Sequence, residues 1–112
     1  MKYIFYDLET TGLDVYTVRI VEICAYEPKT KKIFYMRVKP DIPIPLESSK
    51  IHQIYDKDVE DCPGIEEVLL KFVKFCETIG DGDGEEKICL VAHNNDGYDK
   101  LVLKSRAKRH LI

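Results

Sequence analysis

The sequence predicts an α/β fold on a mixed sheet, with elements in the order β-β-β-α-β-α. Two observations predict it. Apolar runs rich in β-branched and aromatic residues recur at residues 2–7, 19–27, 32–39 and 87–92, each bounded by turn signals. A single strongly amphipathic stretch, residues 65–78, separates the third run from the fourth, and its apolar positions Val68, Leu69, Phe72, Val73, Phe75 and Cys76 recur at spacings of three and four. Three strands in succession and then a helical crossover to a fourth give a sheet with antiparallel and parallel pairs.

The elements follow in order. Residues 2–7 run into Thr10-Thr11-Gly12, a turn signal, so the first strand should be buried and enter a loop. Residues 19–27 alternate Ile20, Glu22 and Cys24 against Val21, Ile23 and Ala25, as a strand does. Pro28-Lys29-Thr30-Lys31 turns the chain into residues 32–39, which should pair with the second strand as a hairpin. Pro40, Pro43 and Pro45 impose an extended or irregular path, and the loop is expected to continue to about Cys62, with one helical turn near residues 56–59. Pro63-Gly64 precede the amphipathic helix. Residues 80–86, GDGDGEE, read as an acidic linker; they lack the ligand spacing of a calcium loop. Residues 87–92 are apolar at every position after Lys87, as suits an interior parallel strand, and a last helix is expected over 97–109. Its inward positions would be Tyr98, Leu101, Val102 and Ser105. This layout is similar to that of ribonuclease H-like folds.

Composition limits the function classes. At 112 residues the chain suits one domain, 1–112, and at 45% hydrophobic with 33% charged residues it is a globular protein rather than a disordered one. A net charge of −3 gives no overall electrostatic signature of nucleic-acid binding, although a site that gathers carboxylates around a metal is locally acidic by construction. Lys100, Lys104, Arg106, Lys108 and Arg109 gather late in the chain, where a solvated helix face is the plainer account. Cys24, Cys62, Cys76 and Cys89 form no CxxC pair, which argues against zinc and for reduced thiols near a core. No stretch reaches the length of a membrane span and the first residues are not a signal peptide, so the expected place is the cytoplasm, with a nucleus reached by diffusion as the alternative.

Asp7 and Glu9 carry the first chemical signal. Two residues apart on a strand, they point to one face. Their mutual repulsion is relieved by a divalent cation or, more plainly, by water if the strand has ended. The surrounding string YDLETTGLD, residues 6–14, resembles the first motif of the DEDD (DnaQ-like) 3′→5′ exonucleases. The resemblance implies that Asp7 and Glu9 bind Mg²⁺ or Mn²⁺, two ions in a complete site. It also implies that Thr10, Thr11, Gly12 and Leu13 hold the 3′-terminal nucleotide, with Leu13 on a base.

A second segment, AHNNDGYDKLVL (residues 92–103), is similar to the family's His-Asn stretch and the helix that follows it. That likeness makes Asp99 the third catalytic and metal-binding carboxylate and gives Asn94 a substrate contact. The spacing is one residue longer than the usual pattern, so Asp96 competes with Asp99. Tyr98-Asp99 followed by Leu101 matches the family's order, and Asp96 suits a helix N-cap. A third segment, IHQIYDKDVEDCP (residues 51–63), resembles the family's Ile-His-Gly-Ile stretch with Gln53 in place of Gly. His52 would then contact substrate; a partly buried loop histidine is the plainer alternative.

The family's third motif, a His or Tyr followed about five residues later by Asp, has no counterpart before the chain ends RAKRHLI, and His110 reads as a helix-end residue. The expected domain is therefore C-terminally truncated, with an open side that a homodimer or a second chain would cover. The expected function is metal-dependent release of nucleoside 5′-monophosphates from DNA or RNA 3′ ends. A catalytically inactive nucleic-acid-binding or protein-interaction module is the alternative.

Overall fold

The computed structural model describes residues 2–12, 17–80 and 88–92. Within them lie strands β1 (Lys2–Thr10), β2 (Ile20–Glu27), β3 (Lys32–Arg37) and β4 (Ile88–Ala92), and helices α1 (Leu46–His52), α2 (Asp56–Val59) and α3 (Ile65–Gly80). The strands form one sheet in the order β3-β2-β1-β4. β1 pairs antiparallel with β2, and β2 with β3. β4 joins β1 in parallel after the α3 crossover. This is the mixed sheet expected from the sequence. The acidic linker after Gly80 and the expected helix at 97–109 lie outside the described residues.

Strand alternation decides what packs where. On β1, Ile4, Tyr6 and Leu8 are buried, while Tyr3 and Phe5 are exposed and Asp7 and Glu9 half-buried. The buried set joins Ile23, Ala25 and Phe34 against Val68, Leu69, Phe72 and Ile79 of α3. Phe34 meets Phe72 edge to face, with ring centroids 5.4 Å apart. Each fully buried side chain of this size contributes about 1.5–3 kcal/mol by leaving water, so this interface holds α3 on the sheet. The opposite face carries Tyr3, Phe5, Asp7 and Glu9 in line along β1.

A register shift between Glu9 and Thr10 interrupts the β1–β2 ladder: Glu9 faces Glu22, Thr10 faces Ile20, and Val21 is left over. Consecutive residues can therefore both be buried. Ile20 joins the main core, while Val21 enters a second cluster with Ile44, Ile54 and Val59. That cluster seats the segment carrying α1 and α2 beside the end of β1.

Two expectations change. The stretch after Pro45, expected to be loop through Cys62, contains α1 at Leu46–His52. Pro45 sits at its N-terminal boundary (φ −59°, ψ 139°), so the last proline marks a helix start. Gln53 ends the helix in the left-handed region (φ 65°, ψ 21°), its N–H donating to the Ser49 carbonyl at 2.7 Å. The helical turn expected near 56–59 is α2. β4 was expected to be an interior strand; among the described residues it is the sheet's end strand, and Leu90 is exposed.

Candidate active site

The site grows from the last residues of β1. Asp7 stands opposite Cys24 and Glu9 opposite Glu22 in the β1–β2 ladder, so four polar side chains share the face away from α3. The bulge follows Glu9 at once. Bulges next to functional sites re-aim the strand, and here the bend carries the chain from the carboxylates into the Thr10-Thr11-Gly12 turn.

That turn is pinned from both sides. Thr11 is buried; its N–H donates to the Arg19 carbonyl at 2.9 Å, and its Oγ1 accepts the Arg19 N–H at 2.9 Å. The Thr10 hydroxyl donates to the Gly12 carbonyl at 2.9 Å. From the other side α1 holds the turn by its carbonyls. The Ser48 hydroxyl donates to Thr11 O at 2.8 Å, and His52 Nε2 donates to Thr10 O at 3.1 Å. The tautomer follows from the Ile54 N–H, which donates to His52 Nδ1 at 3.1 Å. Nδ1 is therefore bare and the proton is on Nε2. Both ring nitrogens of His52 are occupied by backbone.

Between α1 and the turn lies a cavity of about 440 Å³, lined by Leu8, Glu9, Thr10, Thr11 and Gly12 on one side and by Pro45, Glu47, Ser48, Ile51 and His52 on the other. It has room for one nucleoside. A Cβ added to Gly12 would meet Val18 at an ordinary 3.5 Å, so packing inside the described fold does not demand glycine there.

Electrostatics separate the groups. The Cys24 thiol is pushed up by burial, then by the charges of Glu22 and Asp7. Burial, and after it Glu77, push the Cys76 thiol up to about 11. Neither is a thiolate nucleophile at neutral pH. All four cysteines are free and half-buried, as expected for thiols near a core. Glu22 accepts hydrogen bonds on Oε1 from the Tyr35 hydroxyl and from Arg37 Nε, the latter at 3.4 Å. The Tyr35 hydroxyl is raised by that hydrogen bond first, then by burial and by the Glu22 charge.

Of the residues expected from the sequence, the structure brings Glu9, Thr10, Thr11, Gly12 and His52 to one cavity. Asp7 is on the same face as Glu9, along the strand. Leu13, Asn94, Asp96, Asp99 and His110 lie outside the described residues. Among the described residues no group of three or more His, Cys, Asp or Glu is placed to hold an ion. Asp7 and Glu9 offer only oxygen donors, the chemistry that Mg²⁺ and Mn²⁺ take. Sequence reading overlooked Ser48 and Ile51, because the helix that presents them follows three prolines. It also passed over Glu22; the alternation of residues 19–27 assigns it a strand face with Cys24, but only the pairing register places it opposite Glu9.

The exonuclease family model RNase_T matches residues 4–112. The chain belongs to this family. A PolC-type DNA polymerase III from Caldanaerobacter subterraneus subsp. tengcongensis is 39% identical over 111 residues, covering 96% of this chain and 7% of that protein. The Bacillus subtilis PolC-type DNA polymerase III is 31% identical, with 98% and 8% covered. The chain thus spans less than a tenth of these relatives' length. Among solved structures, E. coli Exonuclease I in complex with a 5cy-dA13 oligonucleotide superposes with a TM-score of 0.77 at 18% identity, covering 97% of this chain and 24% of that one. That likeness bears out the ribonuclease H-like fold expected from the sequence. Divalent metals are in general use in the family. Among the described residues no helix is long and apolar enough to cross a membrane.

Proposed function

We propose that this exonuclease-family chain hydrolyses the terminal phosphodiester at nucleic-acid 3′ ends and releases nucleoside 5′-monophosphates. The observation that carries the reading is the alignment of Asp7 and Glu9 on one open strand face, directly before a bulge that opens onto a nucleoside-sized cavity. Asp7 and Glu9, with Asp99, would hold Mg²⁺ or Mn²⁺. When bound, a pair of divalent ions activates the attacking water and stabilises the leaving oxygen.

The chain's own residues do the positioning. The α1 clip through Ser48 and His52 fixes the Thr10 and Thr11 carbonyls, so the cavity wall is set before substrate arrives. Among the described residues the cavity lining has no Lys or Arg, which suits a base and sugar rather than a phosphate. Gly12 would let the backbone come close to the nucleotide, and the resemblance to the family's motifs assigns further contacts to Leu13 and Asn94. DNA is the first substrate to try, because the PolC-type relatives are DNA polymerases and Exonuclease I was solved with a deoxyadenosine oligonucleotide.

The test is degradation of 3′-labelled single-stranded DNA with Mn²⁺, by wild type beside Asp7→Ala, Glu9→Ala and Asp99→Ala. The expected result is labelled mononucleotide from wild type and a loss of about a hundredfold or more in each variant, since each removes a direct ligand. A folded wild type as inert as its variants, or cleavage that starts away from the 3′ end, would overturn the proposal. Binding of the same strand without turnover would instead mark a nucleic-acid-binding module.

A further inference from the structure

Among the described residues, Glu22 is the carboxylate that the β1–β2 ladder sets directly opposite Glu9, and the proposed hydrolysis leaves it without a role. Its position is defined twice. In the β1–β2 ladder it is the direct partner of Glu9, and in the β2–β3 ladder it is the direct partner of Arg37. Glu9, Glu22 and Arg37 therefore form one row across three strands, on the face that carries Asp7. Like charges directly opposed across strands destabilise a sheet, so the row costs stability unless something offsets it.

The partners on β3 provide part of that offset. Arg37 Nε reaches Glu22 Oε1 at 3.4 Å, and the Tyr35 hydroxyl donates to the same oxygen. The glutamate side chain is 17% exposed and the arginine 36%. Both contacts fall on Oε1, and among the described residues the structure gives Oε2 no hydrogen bond. Two residues along β2 from Glu22, Cys24 stands opposite Asp7, so Glu22 lies on the same strand face as both Asp7 and Glu9. Glu22 is not grouped closely enough with Asp7 and Glu9 to share an ion directly.

We infer that Glu22 is a positioning residue for the cation site: held by Tyr35 and Arg37, it adds negative charge behind Glu9 and accepts hydrogen bonds from the hydration shell of a bound divalent ion. This rests on the metal-binding reading of Asp7 and Glu9. A purely structural glutamate would lower stability when changed and leave cation affinity alone. A positioning glutamate behaves the other way, because its removal relieves the repulsion with Glu9 and weakens the hold on the ion.

The experiment is Mn²⁺ binding followed by electron paramagnetic resonance on the full chain, with thermal melting in chelator on the same samples. Glu22→Gln is expected to weaken Mn²⁺ binding about tenfold, the usual effect of losing an outer partner of a metal site, with a melting temperature in chelator equal to or above wild type. Tyr35→Phe, at an exposed position, is expected to weaken binding by a smaller factor in the same direction. Glu22→Gln within twofold of wild type would overturn the inference, as would a loss of affinity that only tracks a loss of folded protein. Asp7→Ala separates the two levels. If it abolishes binding while Glu22→Gln does not change it, only the role of Glu22 falls. If Asp7→Ala also leaves binding unchanged, or wild type binds no Mn²⁺, the metal reading falls with it.

Discussion

Glu22 and Glu27 lie on the same strand and are put to different uses. Glu27, at the hairpin end of β2, is 1% exposed, and its carboxylate is consumed by its own turn. It accepts from the Lys29 N–H, from the Thr30 N–H at 3.2 Å and from the Thr30 hydroxyl at 2.8 Å. Glu22, at the bulge end, is shared between a tyrosine and an arginine and faces another carboxylate. The hairpin end is closed in hydrogen-bonding terms, whereas the bulge end concentrates charge. Where a strand's acid has local donors, it builds the fold; where two acids oppose each other across a ladder, negative charge gathers at that end of the strand.

Three changes sharpen that comparison, beginning with the largest. Phe72→Ala empties the centre of the α3 interface, where the ring packs edge to face on Phe34. It should cost about 3–5 kcal/mol in urea unfolding, the range for large-to-small changes of buried aromatics. A cost below about 1 kcal/mol would mean that α3 is not what anchors the sheet.

The next change is in pH. Burial works against ionisation of Glu27, but the Thr30 hydroxyl, the Lys29 and Thr30 amides and the Lys2 charge outweigh it, so its pKa lies below the ordinary glutamate value. A carboxylate depressed in the folded state adds stability that is present above its unfolded pKa and is lost as pH falls through the folded one. Stability should therefore fall in acid for wild type, and Glu27→Gln should be less stable at neutral pH with a flatter decline below it. Parallel wild-type and variant profiles would remove Glu27 from the turn's account.

The smallest effect should be a gain. Gln53 holds φ 65°, a region that costs an L-residue roughly 1–2 kcal/mol, partly offset by its amide donating to the Lys50 carbonyl at 2.9 Å. Gln53→Gly should stabilise the chain by about 0.5–1 kcal/mol. A loss would show that the side-chain bond matters more than the backbone strain.

Much of this was legible in the sequence, for a physical reason in each case. Period-two alternation fixes faces, so Asp7 and Glu9 could be placed together before any coordinates. The hairpin at 28–31 and the amphipathic stretch of α3 were equally clear. The α1 helix was not, because three prolines in six residues argue for irregular chain and a helix of seven residues has little periodicity to show. Gln53 concealed its end, since the left-handed cap that usually calls for glycine is filled here by another residue. The bulge was illegible for a different reason: it is a property of how two strands pair. Without it the buried pair Ile20-Val21 looks like a break in alternation, and the opposition of Glu9 to Glu22 cannot be assigned.

The central proposal is that Asp7 and Glu9 bind a divalent cation. Thermal melting of wild type and Asp7→Asn, each in chelator and in saturating Mn²⁺, tests it most directly. In chelator the variant should melt at or above the wild-type temperature. Mn²⁺ should raise wild type by the equivalent of about 2.7 kcal/mol at a hundredfold excess over Kd, and leave the variant unmoved. A variant that melts lower in chelator, or that gains as much from Mn²⁺ as wild type does, would contradict the account.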